Sequence, residues 1–414
     1  MHILFLTDNF PPEVNAPASR TFEHAREWVR AGAEVTVITG APNFPKGSVF
    51  PGYRNRLWQR ETIDGIEVIR VWTYITANEG FAKRIADYMS FMLSASLAAL
   101  FVRKVDVVLG TSPQFFTACA GWFVGAVKRR PFVFELRDLW PESIKAVGAM
   151  SHSRAIAMLE RIEWFLYRNA AHIVSVTESF RAHLMAGGIP AERITVITNG
   201  VDLTNFSPRG KDRELQSTLG LDGAFVAGYI GTHGLAHGLG TLLDVAAMLP
   251  QLADGRRLVL VLVGDGAEKR ALQQRAAQEN LGNVIFVDTV SKQDIVRYWS
   301  LLDACIVHLK RTPLFETVIP SKLFEAMGMG VPVVLGVAGE AASIVTREAC
   351  GRVVEPESVG AIAAALSEIA MDPALAAGFR DAGLAAARKY ERSALAARML
   401  AVLEAVAGKP GHDR

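Results

Sequence analysis

Short, almost wholly apolar runs recur along this chain, each followed by a loop and then by a stretch of helical spacing. His2–Thr7 is the first run, and Asn9-Phe10-Pro11-Pro12 reads as the loop at its C-terminal end. Ser19–Ala31 carries Phe22, Ala25 and Val29 on one side, Gly32 closes it, and Glu34–Thr39 is the next run. Such runs are too short for helices and suit strands covered on both faces. Strand, loop, helix and strand in that order make a βαβ unit, with a parallel sheet and a right-handed crossover. Ile66–Val71, Val105–Leu109, Phe132–Leu136, His172–Val176 and Ile194–Ile197 continue the series, with helices between them that include Ser151–Asn169. The polar stretch Pro208–Asp212 interrupts it. The pattern then restarts with Phe225–Ile230, Leu258–Val263, Val284–Val287, Ala304–His308 and Val331–Leu335. A chain of 414 residues, half of them hydrophobic, exceeds one ordinary core. The fold class expected is therefore α/β, with two doubly wound domains over 1–206 and 207–392. A terminal helix at about 393–414 is expected to pack back on the first domain. Asn43–Arg60, rich in Pro, Gly, Arg and aromatics, reads as a long functional or mobile loop.

A formal charge of +2 argues against a nucleic-acid partner. Cys119, Cys305 and Cys350 are far apart and lack metal-ligand spacing, and Cys305 and Cys350 read as reduced thiols of a cytosolic protein. The N-terminus has no basic region before Ile3–Leu6, so no signal peptide is expected. Ile85–Val102 is apolar or small apart from Asp87 and is flanked by Lys83-Arg84 and Arg103-Lys104. It reads first as a core helix; a helix partly exposed to membrane or acceptor, and a membrane span, are the alternatives.

Candidate chemistry gathers in the second half. Pro320–Val333 reads as a loop, a helix and a strand, with Ser321 as N-cap. Unpaired N–H groups and the helix dipole make that start positive, and Lys322 adds a full charge. A cation there opposes the dipole, so an anionic ligand is the natural third party. Glu325, one turn on, shares the face and suits sugar hydroxyls. The bland alternative is a capped helix whose Lys and Glu pair in water. Gly328 and Gly330 are expected to stop the helix. Gly231-Thr232-His233-Gly234-Leu235-Ala236-His237-Gly238 follows a strand and opens a helix, as a phosphate-cradling loop does. His233 and His237 read either as phosphate donors or as solvated loop histidines. Gly264-Asp265-Gly266 ends the next strand. In doubly wound sheets ligands sit beyond the C-terminal strand ends, so the three segments should line one rim and suit a nucleotide diphosphate. In the first half, Glu135 to Glu142 follows a strand, and Arg137 and Asp138 suit an acceptor phosphate and a hydroxyl or proton. A local ion pair with a capping Asp is the alternative. The Asn9–Pro17 loop offers Pro12 as a rigid element and Glu13 and Asn15 as hydrogen-bonding groups.

No Asp-x-Asp, HExxH, CxxC or GxSxG occurs, so no metal site is expected. With these pieces in place, the chain resembles family 4 glycosyltransferases of the two-domain GT-B fold over nearly its whole length. The resemblance rests on Asn9-Phe10-Pro11-Pro12-Glu13, Asp138-Leu139-Trp140-Pro141, and Ile197-Thr198-Asn199-Gly200-Val201-Asp202 with Phe206 and Pro208. Val263-Gly264-Asp265-Gly266 and Pro320-Ser321-Lys322-Leu323-Phe324-Glu325-Ala326 complete it. Within the family it is most similar to bacterial O-antigen and colanic-acid type enzymes, such as those assigned as L-fucosamine transferases.

The resemblance implies two Rossmann-like domains facing across a cleft. It also implies a retaining, metal-independent transfer from a nucleotide sugar to a hydroxyl. The nucleotide sugar is then a substrate, and no cofactor is implied. Glu325 would hold the donor ribose, Lys322 and the Gly231–Gly238 loop the diphosphate, and Gly264 and Val290 the base or ribose. Arg137 and Asp138 would lie near the transferred sugar and the acceptor. Two positions depart from the family pattern. Thr317 stands where many relatives place a Glu, with Glu316 beside it, and His237 stands where a Lys is expected. The second departure shifts weight onto Lys322. The expected partners are a UDP-N-acetyl amino sugar and a polyprenyl-diphosphate-linked acceptor, at the inner membrane face. Lys46, Arg54, Arg56, Arg60, Lys83-Arg84 and Lys128-Arg129-Arg130 motivate the membrane contact, with solvated surface charge as the alternative. A nucleotide-sugar epimerase and a non-catalytic nucleotide-sugar binder are the competing functions.

Overall fold

A computed structural model describes residues 1–44, 47–76, 81–112, 114–139 and 154–408. Lys46, the Trp140-Pro141-Glu142 part of the Asp138 motif and the expected helix start at Ser151 lie outside these. The chain divides into Met1–Thr198 with Arg392–Arg414, and Asn199–Glu391. The division falls earlier than residue 206 because Val201 and Phe206 are buried in the core of the second unit. Val201 N–H also bonds to Tyr390 O at 3.0 Å, so entry to and exit from that unit run side by side.

In the first unit β1 (His2–Leu6), α1 (Ala16–Arg30), β2 (Glu34–Thr39), β3 (Trp58–Ile63) and β4 (Ile66–Val71) come first. Then follow α2 (Phe81–Leu100), β5 (Val107–Thr111), α3 (Phe115–Lys128), β6 (Phe132–Leu136), β7 (His172–Ser175) and β8 (Ile194–Val196). The sheet order is β3-β4-β2-β1-β5-β6-β7-β8, parallel except for β3 against β4. β1 lies at the centre, with Phe5 level with Val37 on β2 and Leu109 on β5. Its alternate side chains feed two cores: Ile3 and Phe5 meet Trp28, while Leu4 and Leu6 meet Phe91 and Ala95.

The long loop expected at Asn43–Arg60 ends early, because Trp58–Arg60 already belong to β3. Asp64 and Gly65, both with positive φ, close its hairpin to β4, and an Asp-Gly pair suits such a turn. The C-terminal helix Arg392–Ala407 buries Leu395, Met399 and Leu403 in the core under β1. There Trp28 Nε1 donates to Ala396 O at 2.9 Å.

α2 is a core helix on one side only. Phe91, Ala95 and Ala99 are buried, whereas Leu93 and Leu97, with Phe101 just past the helix end, are 59 %, 64 % and 70 % exposed. α3 packs beside it and exposes Phe123 and Val127. Lys128 Nζ donates to Val102 O at 2.6 Å, which ties the two helix ends together next to exposed Arg103, Lys104, Arg129 and Arg130. Among the described residues no single helix is long and apolar enough to cross a membrane.

The second unit contains β9 (Phe225–Ile230), β10 (Leu258–Val263), β11 (Val284–Val287), β12 (Ala304–His308), β13 (Val333–Gly336) and β14 (Gly351–Val353). They are parallel in the order β11-β10-β9-β12-β13-β14. β10 shows why an unbroken apolar run is needed: Val259, Val261 and Val263 enter one core, and Leu258, Leu260 and Leu262 the other. Strand order reverses between β9 and β12, and between β1 and β5 in the first unit. At such points the flanking loops diverge and leave a crevice at the C-terminal strand ends.

Candidate functional site

At the β9/β12 reversal two glycine loops interlock. Gly231 N–H bonds to Val263 O and His233 N–H to Asp265 O, both at 2.9 Å, and Gly264 N–H reaches Val287 O at 3.0 Å. Gly264 has φ +143°, and a Cβ there would lie 1.9 Å from Gly231 O, so only glycine fits. Lys269 Nζ donates to Gly264 O at 2.8 Å and Val287 O at 3.1 Å and pairs with Asp288. This lysine fixes the second loop and was not singled out in the sequence; its place three residues after Gly266 was the available signal.

Lys322 opens the Lys322–Met329 helix and aims into the first loop. Its Nζ lies 3.4 Å from the centre of the Tyr229 ring. A Cβ on Gly231 would sit 2.8 Å from that nitrogen, so the missing side chain makes its room. The Nζ is buried and has no hydrogen-bond partner. Burial lowers its pKa to about 7, against the attraction of Cys305 and Glu325.

His233 is fully buried, with neither ring nitrogen bonded, and His237 Nδ1 is likewise buried and unbonded. Burial, with Lys269 and Lys322 nearby, pushes His233 down to about 4, and burial and Lys322 push His237 down to about 3. Both are neutral imidazoles able to donate one N–H, and His233 is no solvated loop histidine. His308 Nδ1 meets His237 O at 2.7 Å, and its Nε2 accepts from Glu357 N–H at 3.0 Å, so it braces this loop.

Ser321 does not cap the helix. It already has helical angles (φ −59°, ψ −31°), and its side chain makes no capping bond. Its carbonyl accepts from Phe324 N–H at 3.1 Å, which tightens the first turn. Gly330, left-handed at φ +67°, ends the helix, whereas Gly328 lies within it against Phe206 O and Val201. Glu325 is half-buried on the Lys322 face. Thr232 presents its carbonyl to Tyr229 OH at 2.8 Å, and Asp265 accepts from Gly266 N–H at 2.7 Å. Val290 is half-buried against the core, and Thr317 Oγ1 donates to Leu314 O at 2.7 Å. The exposed Glu316 rests its carbonyl on Gly339, where a Cβ would lie 2.0 Å away.

The first unit has its own strand-end cluster. Glu135 is not a rim carboxylate: it is buried and takes a 2.8 Å bond from Arg20 Nε. Burial works to raise its pKa, but Arg20 and Arg137 hold it low. Arg20 also donates to Thr198 O and Ile197 O at 2.7 and 2.9 Å. Arg137 N–H and Asp138 N–H both reach Ser112 Oγ, at 2.7 and 3.2 Å. Arg137 Nε is buried and unbonded while its guanidinium donates to Pro17 O at 3.4 Å through another nitrogen, and burial pulls the group down to about 10.

Glu13 and Asn15 have internal partners. Glu13 is buried and accepts from Asn43 and Phe44 N–H at 2.9 and 2.8 Å, while Asn15 caps α1 through Ala18 N–H at 2.9 Å. Pro12 is exposed. Asp8, two residues past the end of β1, joins this rim. Burial, then Asp87 and Glu13, push its carboxyl well above the usual range. Its place at a strand end was the signal for it. Among the described residues no three His, Cys, Asp or Glu side chains gather as a metal site.

Residues 15–200 match the model of a glycosyl transferase 4-like domain, and residues 211–385 that of glycosyl transferases group 1. An Escherichia coli K12 protein assigned to colanic acid biosynthesis as the glycosyl transferase WcaI is 25 % identical over 396 residues, which span 90 % of this chain and 93 % of that protein. Among solved structures, the sucrose-phosphate synthase of Thermosynechococcus elongatus superposes with a TM-score of 0.77 at 18 % identity, over 98 % of each chain. The Anabaena protein HepE, solved with UDP-glucose, superposes with a TM-score of 0.73 at 18 % identity, over 98 % of this chain and 100 % of that one.

Proposed function

The chain belongs to the GT-B glycosyltransferases, and from that premise we propose a retaining transfer of a sugar from a nucleotide-diphosphate donor to a lipid-linked acceptor in surface polysaccharide synthesis. One observation carries the donor half of this reading. Lys322 Nζ is buried and unbonded beside two interlocked glycine loops, at the strand-order reversal where α/β sheets take their ligands. A diphosphate there receives the lysine, an N–H from His233 or His237, and the helix start. Glu325, one turn on, holds the ribose hydroxyls, and Gly264 and Val290 flank the base. Thr232, Asp265, Thr317 and Ser321 line the same rim.

UDP is the nucleotide we favour, since HepE binds UDP-glucose on the same fold. An N-acetylated amino sugar is our choice of transferred group, on the sequence resemblance to enzymes assigned as L-fucosamine transferases. As the anomeric bond breaks, negative charge grows on the diphosphate. Fixed donors aimed at it are worth about 3–4 kcal/mol each in a dry site. The acceptor hydroxyl attacks from the face the diphosphate leaves, which retains configuration, and the departing phosphate takes its proton. Arg137 and Asp138 serve the acceptor side of the first unit, with the Pro12–Asn15 loop.

The acceptor is proposed to be a polyprenyl-diphosphate-linked sugar. The exposed Leu93, Leu97 and Phe101 beside Arg103, Lys104, Arg129 and Arg130 support a peripheral contact with an anionic membrane face. Incubation with UDP-sugars, with and without a lipid-linked acceptor, tests the whole. Transfer with retained configuration is expected. Donor isomerisation without acceptor would mark an epimerase, and binding without turnover a sensor.

A further inference from the structure

Around the Tyr229 ring lie three buried nitrogen groups with unmet hydrogen-bonding capacity: Lys322 Nζ, both His233 ring nitrogens and His237 Nδ1. The groups facing Lys322 come from every element packed on it. They are Tyr229 on β9, His233 and His237 on the loop, Cys305 and His308 on β12, and Glu325 on its own helix. Behind them Lys269 and Asp265 face His233, and Glu357 faces His308. An ammonium in this place has lost its water, and the ring face of Tyr229 returns only part of what hydration gave. Glu325 attracts it from one turn away, while Lys269 adds like charge to the cluster. The neutral amine is therefore unusually accessible here, as burial dictates for a lysine. A diphosphate is the partner that reverses the balance, because it brings negative charge and acceptor oxygens together.

We propose that Lys322 is the proton carrier of this site: it loses its proton readily while the pocket is empty, takes one up from solvent when the diphosphate enters, and holds it on Nζ as the diphosphate leaves the sugar. The inference rests on the donor site proposed above. In the step itself, the Nζ lone pair binds a solvent proton, and the resulting ammonium donates to the diphosphate. The histidines, Cys305 and Tyr229 that face the lysine all shift away from neutrality. The histidines lose their protons far lower, at about 4 and 3 for His233 and His237, with His308 also lowered by burial. Cys305 is pushed up to about 12, and Tyr229 well above its ordinary value, by burial. UDP's own last phosphate proton leaves near 6, so its charge changes little across this range.

The test is a titration of UDP binding to the full chain from pH 7 to 9. Binding to the wild type should weaken by up to about tenfold per pH unit as the amine must be protonated anew. Lys322→Arg keeps its proton throughout and should give a flat profile. Should arginine not fit beside Gly231, Lys322→Met should bind more weakly and equally flat. His233→Gln and His237→Gln should keep the slope. A flat wild-type profile with UDP bound overturns this inference alone, as does a slope surviving in Lys322→Met. Failure of the wild type to bind any nucleoside diphosphate removes the donor site as well.

Discussion

A buried lysine with no partner costs folding energy, which is why Lys322 separates stability from function. Lys322→Ala should lose most of its UDP affinity while melting at the wild-type temperature or above it. Glu325→Ala should weaken UDP by about tenfold or more through lost ribose contacts, again without loss of fold. Calorimetric titration beside thermal melts checks both; unchanged affinity in the two variants removes the donor assignment. The buried imidazoles set a second expectation. His24, His233, His237 and His308 all have folded pKa values below the ordinary 6.5, each chiefly through burial. The unfolded chain therefore takes up protons first as the pH falls. Their contribution is complete above about 6.5 and is lost on acidification toward about 4 for His233 and about 3 for His237. Each histidine removes up to about 1.4 kcal/mol per pH unit within its window. Urea unfolding at pH 7, 6 and 5 should show the decline, and His233→Gln should flatten it. At this scale the sequence showed part of the site. Lys322 and Glu325 stood out because a cation at a helix start needs an anion. The burial of His233 did not, because a glycine-rich loop looks solvated until a second loop folds over it. Glu13 and Asn15 looked free because Asn43, Phe44 and Ala18 meet them through backbone N–H groups that no side-chain pattern announces.

Elements with two covered faces announced themselves, and those with one did not. β10 reads as a strand from Leu258-Val-Leu-Val-Leu-Val alone, because both cores demand apolar side chains. β3 hid in a Pro- and Arg-rich stretch because an edge strand covers little, and its Gln59, Arg60 and Glu61 suit a loop equally well. α2 carried an ambiguity that periodicity could not remove, since both of its sides are apolar. Its outer side supplies the element-scale expectation. Leu93→Gln with Leu97→Gln removes about 3 kcal/mol or more of potential apolar burial in lipid, at side chains that touch little in the protein. Flotation with anionic vesicles should fall severalfold for this variant while its melting temperature holds. Arg129→Gln with Arg130→Gln should reduce it by about 2 kcal/mol and make the remainder less salt-dependent. Equal flotation of all three proteins would leave the surface without a role in membrane contact, and a concentration-dependent dimer lost in the double glutamine variant would assign it to self-association.

At the scale of the whole chain, the connectivity makes the two units unequal. Asn199–Glu391 is continuous in sequence. Its six strands and both faces of its core come from within that span, and its ends are joined by the bridge of Val201 to Glu391. Nothing in that arrangement requires another segment for folding. The first unit is discontinuous. Its core includes Leu395, Met399 and Leu403 from the C-terminal helix, and Arg392 pairs there with Glu23 on α1. A 1–198 fragment would expose Trp28 and the β1 face those side chains cover. It would also remove Arg392, the ion-pair partner of Glu23. The 199–391 fragment should therefore melt cooperatively and bind UDP, since Lys322, Glu325 and both glycine loops lie inside it. A ligand at a hundred times its dissociation constant should stabilise it by about 2.7 kcal/mol. The 1–198 fragment should stay unfolded until a 392–414 peptide is supplied. Circular dichroism melts of the two fragments, with UDP or peptide added, decide the matter. A folded 1–198 fragment, or a 199–391 fragment that folds and ignores UDP, would contradict the division of labour argued from these cores.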